Sequence, residues 1–269
     1  MERLLGAMLV ERSKRSVRFT ALGEDVVTRA RDVVRAAEDL CAVAEGAREP
    51  LVGPLRLGVI PTIAPFLLPQ LLTDVATTWP RLRLFVRETL TGPACEALAR
   101  GTLDCVLLAL PAACGEIDAV EIATDRLLVA VGASDNDPGM SLDGIDPARL
   151  LLLEDGHCLR DHALAACDLA PATDAPLVAS TLHTLVQLVD AGLGLTLLPK
   201  MAIDAGILRG TGVSAYPLPS GRTERRIALA WRRDHPREAE FRLLGEHLQR
   251  TVGASRPLRP ASADAAVSG

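Results

Sequence analysis

Cys158 and Cys167 lie nine residues apart, and the first of them stands in Leu151-Leu152-Leu153-Glu154-Asp155-Gly156-His157-Cys158-Leu159-Arg160-Asp161-His162. The apolar run, the acidic and glycine turn and the mixed segment after it predict strand, loop and helix start, with Cys158 in the first helical turn. At a helix N-terminus, unpaired N–H groups and the macrodipole favour a thiolate, and His157 and Arg160 offer donors or positive charge beside the sulfur. An activated thiol is the expectation. Were residues 158 to 167 one continuous helix, the two cysteines would lie roughly 13 Å apart along its axis and on opposite sides of it. A disulfide needs Cα atoms within about 7 Å, so oxidising this pair would require the helix to unwind, which is the behaviour of a redox switch.

A free cysteine is more often a small core residue than a sensor, so the surroundings must decide. Glu-Asp-Gly-His-Cys-Leu-Arg-Asp at 154 to 161, with Cys167 at its distance, resembles the sensing segment of the OxyR peroxide regulators of the LysR family. That resemblance implies oxidation of Cys158 to a sulfenic acid, closure of a disulfide with Cys167, and thioredoxin or glutaredoxin as reductant. It also implies peroxide-orienting threonines. Thr62, after the first strand of the effector region, and Thr91, in the loop after the second, fill those positions; α/β crevices bind ligands at strand ends of this kind. His157 would orient or donate beside the sulfur, with Arg160 and Asp161 completing the peroxide site. His162 stands where family members often carry an amide, adding a titratable group.

Of the other cysteines, Cys105 lies in the apolar run Leu103-Asp104-Cys105-Val106-Leu107 and reads as core. Cys41, Cys95 and Cys114 show no partner. Neither CxxC pairs nor zinc-spaced Cys/His clusters occur, so structural disulfides and metal sites are not expected, and no cofactor is implied. With 269 residues and 49% hydrophobic content, the chain can bury a sizeable core. No apolar run approaches the roughly 18 residues of a membrane span, which points to a cytoplasmic protein without a membrane partner. A net charge of −5 argues against wholesale coating of nucleic acid. Yet Arg12, Lys14, Arg15 and Arg18 cluster near the N-terminus, a basic patch on an acidic chain.

Residues 1 to 23 read as a helix tail stopped by Gly6, then two short strands around the basic turn 11 to 15. They resemble the end of the recognition helix and the wing of a LysR winged helix-turn-helix, with the four basic residues on DNA phosphates. The helices that would precede this remnant are expected upstream of Met1. From 24 to 48, Val26, Ala30, Val33, Ala37, Leu40 and Ala44 form a heptad seam capped by Thr20, the pattern of a dimerisation helix. A linker at Ala47 to Pro54 leads to strands at 55–60, 82–86 and 103–110 with helices at 65–78 and 94–100, a parallel βαβαβ unit. A second such unit follows, with strands at 127–131, 150–153, 177–179 and 195–198 and helices at Cys158 and at 182–191. The strand 226–231 and a helix 238–251 close the pattern.

The fold expected is therefore α/β: a partial winged helix-turn-helix and dimerisation helix, then a two-subdomain type 2 periplasmic-binding-like effector domain over 49–252. Its subdomain I would take about 53–125 and 231–252, subdomain II about 126–230, and 253–269 would be a disordered tail. The leading function is a peroxide-sensing transcription regulator acting as a homodimer or homotetramer on DNA. A LysR-type regulator of a small organic effector and a thiol peroxidase-like enzyme stand as alternatives. A wing without its base-reading helix reaches phosphates, which position a protein but do not specify sequence. Titrated at physiological salt against a promoter duplex and a scrambled one, the 269-residue chain should bind both weakly and alike; tight selective binding would place the DNA-reading element elsewhere.

Overall fold

The computed structural model describes residues 1–12, 16–46, 49–135, 146–167, 169, 177–218 and 223–254. Helix α1, Glu2–Leu5, ends at Gly6, whose φ of 64° is left-handed and suits glycine. Strands β1, Val10–Arg12, and β2, Val17–Phe19, pair antiparallel, with Val10 opposite Phe19. The ribbon thus includes Glu11 and Arg12, assigned above to the turn. The Glu2 carboxylate accepts from the Leu9 and Val10 amides at 2.7 and 3.0 Å, fastening α1 to the ribbon. Arg12 and Arg18 are exposed on it, while Lys14 and Arg15 lie outside the described residues.

Helix α2, Ala21–Gly46, begins three residues before the expected start. Thr20 caps it as expected, accepting from the Gly23 amide at 2.9 Å, and donates back to the Met8 carbonyl at 2.9 Å. A Cβ at Gly23 would come within 2.0 Å of the Leu9 carbonyl, so only glycine lets ribbon and helix meet. Along the seam, Val33 and Leu40 are 70% and 72% exposed in the single chain. The side chain of Ala44 lies outside the described residues.

The effector region begins earlier than the linker pattern implied. Leu51 and Val52 are buried, with the Leu51 amide held at 2.8 Å by Glu240. The chain then runs through β3 (Gly53–Val59), α3 (Ala64–Thr78), β4 (Leu82–Glu88), α4 (Thr91–Ala99) and β5 (Cys105–Leu110). Strands β4 and β5 flank β3 in parallel, the βαβαβ unit expected. Helix α4 starts at Thr91, not Ala94, so that Thr91 is a first-turn residue and not a loop residue.

The second half departs from the expected parallel unit. Strand β6, Ile117–Val131, is 15 residues long where only 127–131 was expected. Its first part carries Asp118, Glu121 and Asp125 among apolar residues, and these charges break the apolar run by which a strand is found. After β6 come β7 (Leu152–Leu153), α5 (Cys158–Ala166), β8 (Val178–Ala179), α6 (Leu182–Asp190), β9 (Leu195–Pro199), α7 (Lys200–Asp204), β10 (Ser214–Pro217), β11 (Glu224–Arg232) and α8 (Glu238–Ala254). The sheet order is β10-β6-β11-β5-β3-β4, with β9 also on β6. Strands β9, β10 and β11 all meet β6 antiparallel; parallel pairing in this half is confined, among the described residues, to the small β7–β8 pair and a bridge between Leu150 and Leu195. Neither α7 nor β10 was foreseen, being short and mixed in polarity. Helix α8 runs to Ala254, into the expected tail, whose remainder lies outside the described residues.

Two hydrophobic cores result. One gathers β3, β5, α3, α4 and α8 around Leu57, Leu107, Trp231 and Phe241; the other gathers β6, β7, β9, α5 and α6 around Val129, Leu153, Leu185 and Leu197. The long strands β6 and β11 pass between them. Helix α8 lies so close to β6 that a Cβ on Gly245 would come within 2.9 Å of the Val120 Cβ. Phe241 anchors it, fully buried with its ring 5.8 Å from that of Trp231. Phe241→Ala should cost about 3–5 kcal/mol in urea unfolding. A loss below about 1 kcal/mol would mean that α8 docks through its polar contacts instead.

Candidate functional site

Three parallel strands end at one place. Thr62 follows β3, Thr91 opens α4 after β4, and Ala109 closes β5. The N-terminus of α5 approaches the same edge from the other half of the sheet. His157 is its N-cap residue and Cys158 its first helical residue, as the sequence implied. A Cβ at Gly156, whose φ is 94°, would stand 3.2 Å from Leu90 Cδ1, so the loop before the cysteine abuts the start of α4.

Cys158 is buried, and its side chain joins the first core, with Ala94 and Ala109, while Leu159, Ala163 and Leu164 of the same helix fill the second. The thiol thus bridges the two cores. Burial raises its pKa above the ordinary thiol value, a direction opposite to the one expected from the helix start. The Thr91 hydroxyl, the Arg225 charge and the Ala109 backbone oppose that rise, and Asp161, exposed in the first turn of α5, adds to it.

The cation expected beside the sulfur was Arg160. It is buried, but its guanidinium reaches the Asp155 carboxylate at 3.0 Å and the Leu153 carbonyl at 3.2 Å. The cation that acts on Cys158 is Arg225 of β11, 0% exposed. Its Nη1 donates to Thr62 Oγ1 at 2.9 Å, its Nη2 to the Thr62 carbonyl at 3.1 Å, and both Nε and Nη2 reach Asp125 Oδ2, at 3.1 and 2.9 Å. Asp125 Oδ1 in turn accepts from the Met201 amide of α7 at 3.0 Å. Sequence reading missed both Arg225 and Asp125. The available signal was a charge within each strand pattern, Asp125 before Arg126 and Arg225 before Arg226.

Thr62, 1% exposed, spends its oxygen as acceptor for Arg225 and keeps its own hydrogen to donate. The Thr91 hydroxyl oxygen is buried and makes no hydrogen bond within the usual limits, though it lies near enough to the sulfur to favour the thiolate. The Nδ1 atoms of His157 and His162 are also buried and unpartnered. Burial lowers the pKa of both imidazoles, and Arg225 lowers that of His162 further, so each is neutral near pH 7 and can donate or accept. The Thr91 hydroxyl beside Cys158 and the two imidazoles next to it and one turn on in the chain thus keep spare hydrogen-bonding capacity.

Cys167 sits at the opposite end of α5 as its C-cap, its amide bonded to the Ala163 and Leu164 carbonyls at 3.2 Å. It is not joined to Cys158 by a disulfide, and the intact helix keeps the two apart, as the spacing implied. Cys105 is fully buried core. Against expectation, Cys95 and Cys114 are joined by a disulfide, with Cα atoms 4.8 Å apart. The side chain of Cys41 lies outside the described residues. Among the described residues, no cluster of His, Cys, Asp and Glu could hold a metal, and no helix is long and apolar enough to cross a membrane.

This architecture is that of a bilobal effector domain, and a family model described as the LysR substrate binding domain matches residues 48–253. The chain belongs to the LysR family of transcription regulators. It is 42% identical over 253 residues to the HTH-type transcriptional regulator EstR of Acinetobacter baylyi, covering 93% of this chain and 84% of that one. It is 39% identical over 264 residues to a probable hydrogen peroxide-inducible genes activator of Streptomyces viridosporus, covering 94% and 82%. Among solved structures, a cysteine-to-serine variant of Corynebacterium glutamicum OxyR with hydrogen peroxide bound superposes with a TM-score of 0.74 at 34% identity, over 94% of this chain and 81% of that one.

A buried thiol with its pKa raised should react slowly with iodoacetamide at pH 7 and faster as pH rises, with a midpoint above the ordinary 9.0. Thr91→Val removes a group that favours the thiolate, so its midpoint should lie higher still. A midpoint below 8 in the unsubstituted chain would mean that the helix terminus and Arg225 outweigh burial.

Proposed function

We propose that this chain is a peroxide-sensing LysR-type regulator in which Cys158 is the reacting thiol. The observation that carries the reading is one buried cysteine flanked by groups with unspent hydrogen-bonding capacity, the Thr91 hydroxyl beside its sulfur and His157 next to it in the chain. Hydrogen peroxide is small, uncharged and rich in donors and acceptors, so such groups suit it better than they suit a charged or bulky effector. Thr62 and Thr91 donate to the peroxide, and His157 orients it beside the sulfur. Arg225 holds Thr62 and favours the thiolate. Arg160 and Asp161 take a different part from the one expected, Arg160 bracing the loop through Asp155 and Leu153, and Asp161 facing solvent.

The Cys158 thiolate attacks one peroxide oxygen, forming the sulfenic acid, and the other oxygen leaves as hydroxide and takes a proton to become water. The Cys167 thiolate then attacks the sulfenic sulfur, closing the disulfide and releasing the second oxygen as water. Because α5 separates the two cysteines, closure unwinds it. The unwound segment alters how effector domains pack and how the α2 helices set the ribbons bearing Arg12, Lys14, Arg15 and Arg18 on DNA. Thioredoxin or glutaredoxin restores the dithiol. We assign the protein to the cytoplasm as a homodimer or homotetramer. The division at 1–23, 24–48 and 49–252, with the subdomain boundary near 125, belongs to this proposal.

A second reading, favoured by the 42% identity to EstR, whose name mentions no peroxide, is a regulator of an organic effector bound between the lobes. Thiol counting separates the two. One equivalent of peroxide should remove two thiols per chain, and Cys158→Ser should remove none at the same dose. Cys167→Ser should trap a sulfenic acid at Cys158 that dimedone labels. Unchanged thiols in the unsubstituted chain would favour the organic effector.

A further inference from the structure

The disulfide between Cys95 and Cys114 lies outside the sensing pair. Cys95 is buried in the second turn of α4, four residues after Thr91 and so one turn below it on the same face. Cys114 is part-exposed in the short segment between β5 and β6 and packs against the core that holds Cys158. Their Cα separation of 4.8 Å lies within the span a disulfide bridges. The same helix carries Ala94, Ala97 and Leu98 into that core, and its N-cap, Leu90, abuts Gly156 in the loop before Cys158.

We propose that Cys95 and Cys114 form a second, reversible redox centre that responds to thiol–disulfide exchange with small disulfides and, through α4, sets how Thr91 meets Cys158. Exposure dictates the order of events. The Cys114 thiolate attacks one sulfur of the small disulfide, making a mixed disulfide and releasing one thiolate. The Cys95 thiolate then attacks Cys114 Sγ, closing the ring and releasing the second. The protein loses two electrons and two protons, and the small disulfide gains both as two thiols. A dithiol reductant attacks Cys114 and reverses the sequence.

When closed, the bond ties α4 to the segment leaving β5 and fixes Thr91 against Ala109 and the sulfur. When open, α4 keeps its apolar packing and the loop bonds at its C-terminal end, and the donor at its N-terminal end is free to shift. The first half of the proposal is independent of peroxide; the second bears on Cys158 reactivity and deepens the reading above.

The full chain carrying Cys167→Ser, so that Cys158 has no resolving partner, is equilibrated across glutathione to glutathione disulfide ratios. It is then freed of buffer and pulse-labelled with iodoacetamide, and each cysteine is quantified by peptide mass spectrometry. A Cys95–Cys114 cross-linked peptide should appear in one two-electron transition and vanish with dithiothreitol under native conditions. Across that transition the labelling rate of residual Cys158 thiol should change severalfold. The same chain with Cys114→Ser added should show neither cross-link nor rate change. Cysteines that stay open at every ratio, or a bond that native dithiothreitol leaves intact, would overturn the redox centre. A Cys158 rate indifferent to the transition would overturn the coupling. Because iodoacetamide replaces peroxide, none of these outcomes depends on whether Cys158 senses peroxide.

Discussion

The buried pair of Arg225 and Asp125 holds the rest of this structure in place. The two residues face each other across β11 and β6, the strands that pass between the cores, and neither charge is exposed enough for water to solvate it. Burying two ions costs several kcal/mol each, offset only when geometry and extra hydrogen bonds are good. Here they are. The guanidinium spends its donors on Asp125 and on both oxygens of Thr62, and Asp125 takes the Met201 amide on its free oxygen. Thr62 follows β3 in one lobe, and Met201 is the second residue of α7, whose Ala202 and Ile203 pack in the other, so a single ion pair registers both lobes about their crossing strands. Losing one partner would strand the other charge, at about 3–5 kcal/mol.

That same charge reconciles a buried cysteine with reactivity. Burial protects a thiol from adventitious modification, but it raises the pKa and so depletes the nucleophile. Arg225, Thr91 and the Ala109 backbone act against that depletion without exposing the sulfur. Intrinsic nucleophilicity also rises with thiol pKa, so a thiolate formed only when a substrate is hydrogen-bonded beside it is a stronger attacker than one ionised at rest. On the reading proposed above, selectivity rests on those donors, which a small polar molecule can use beside the sulfur.

Much of this was legible in the sequence. The helix start at Cys158, the Thr20 cap, the ribbon and the parallel unit through β5 follow from apolar runs, caps and turn residues, which are local signals. The misses share one cause. The first part of β6, the true start of β11 and the Arg225–Asp125 pair depend on which strands become neighbours a hundred residues apart, and a charge in a strand reads locally as its edge. Cys95 and Cys114 failed the same way, being 19 residues apart with a strand between them. The expectation of an activated thiol rested on the helix terminus and had no access to burial, which raises the pKa.

Helix α5 also explains how a chemical event at one sulfur could reorganise a lobe. At nine residues it is shorter than the roughly 12–15 at which helices become marginally stable alone, so packing holds it, not propensity. Its apolar face is split: Cys158 lies in one core while Leu159, Ala163, Leu164 and Ala166 fill the other. Oxidation adds a polar oxygen to the one side chain that enters the first core, and burying such a group unpaired costs about 1–3 kcal/mol. The contacts of Leu159 and Leu164 resist the change, each worth about 1.5–3 kcal/mol when fully buried. Together the two leucines outweigh that cost. On the proposed reading, the sulfenic acid therefore biases α5 toward leaving its site without forcing it out, and closure of the bond to Cys167 makes the rebuilt segment persist.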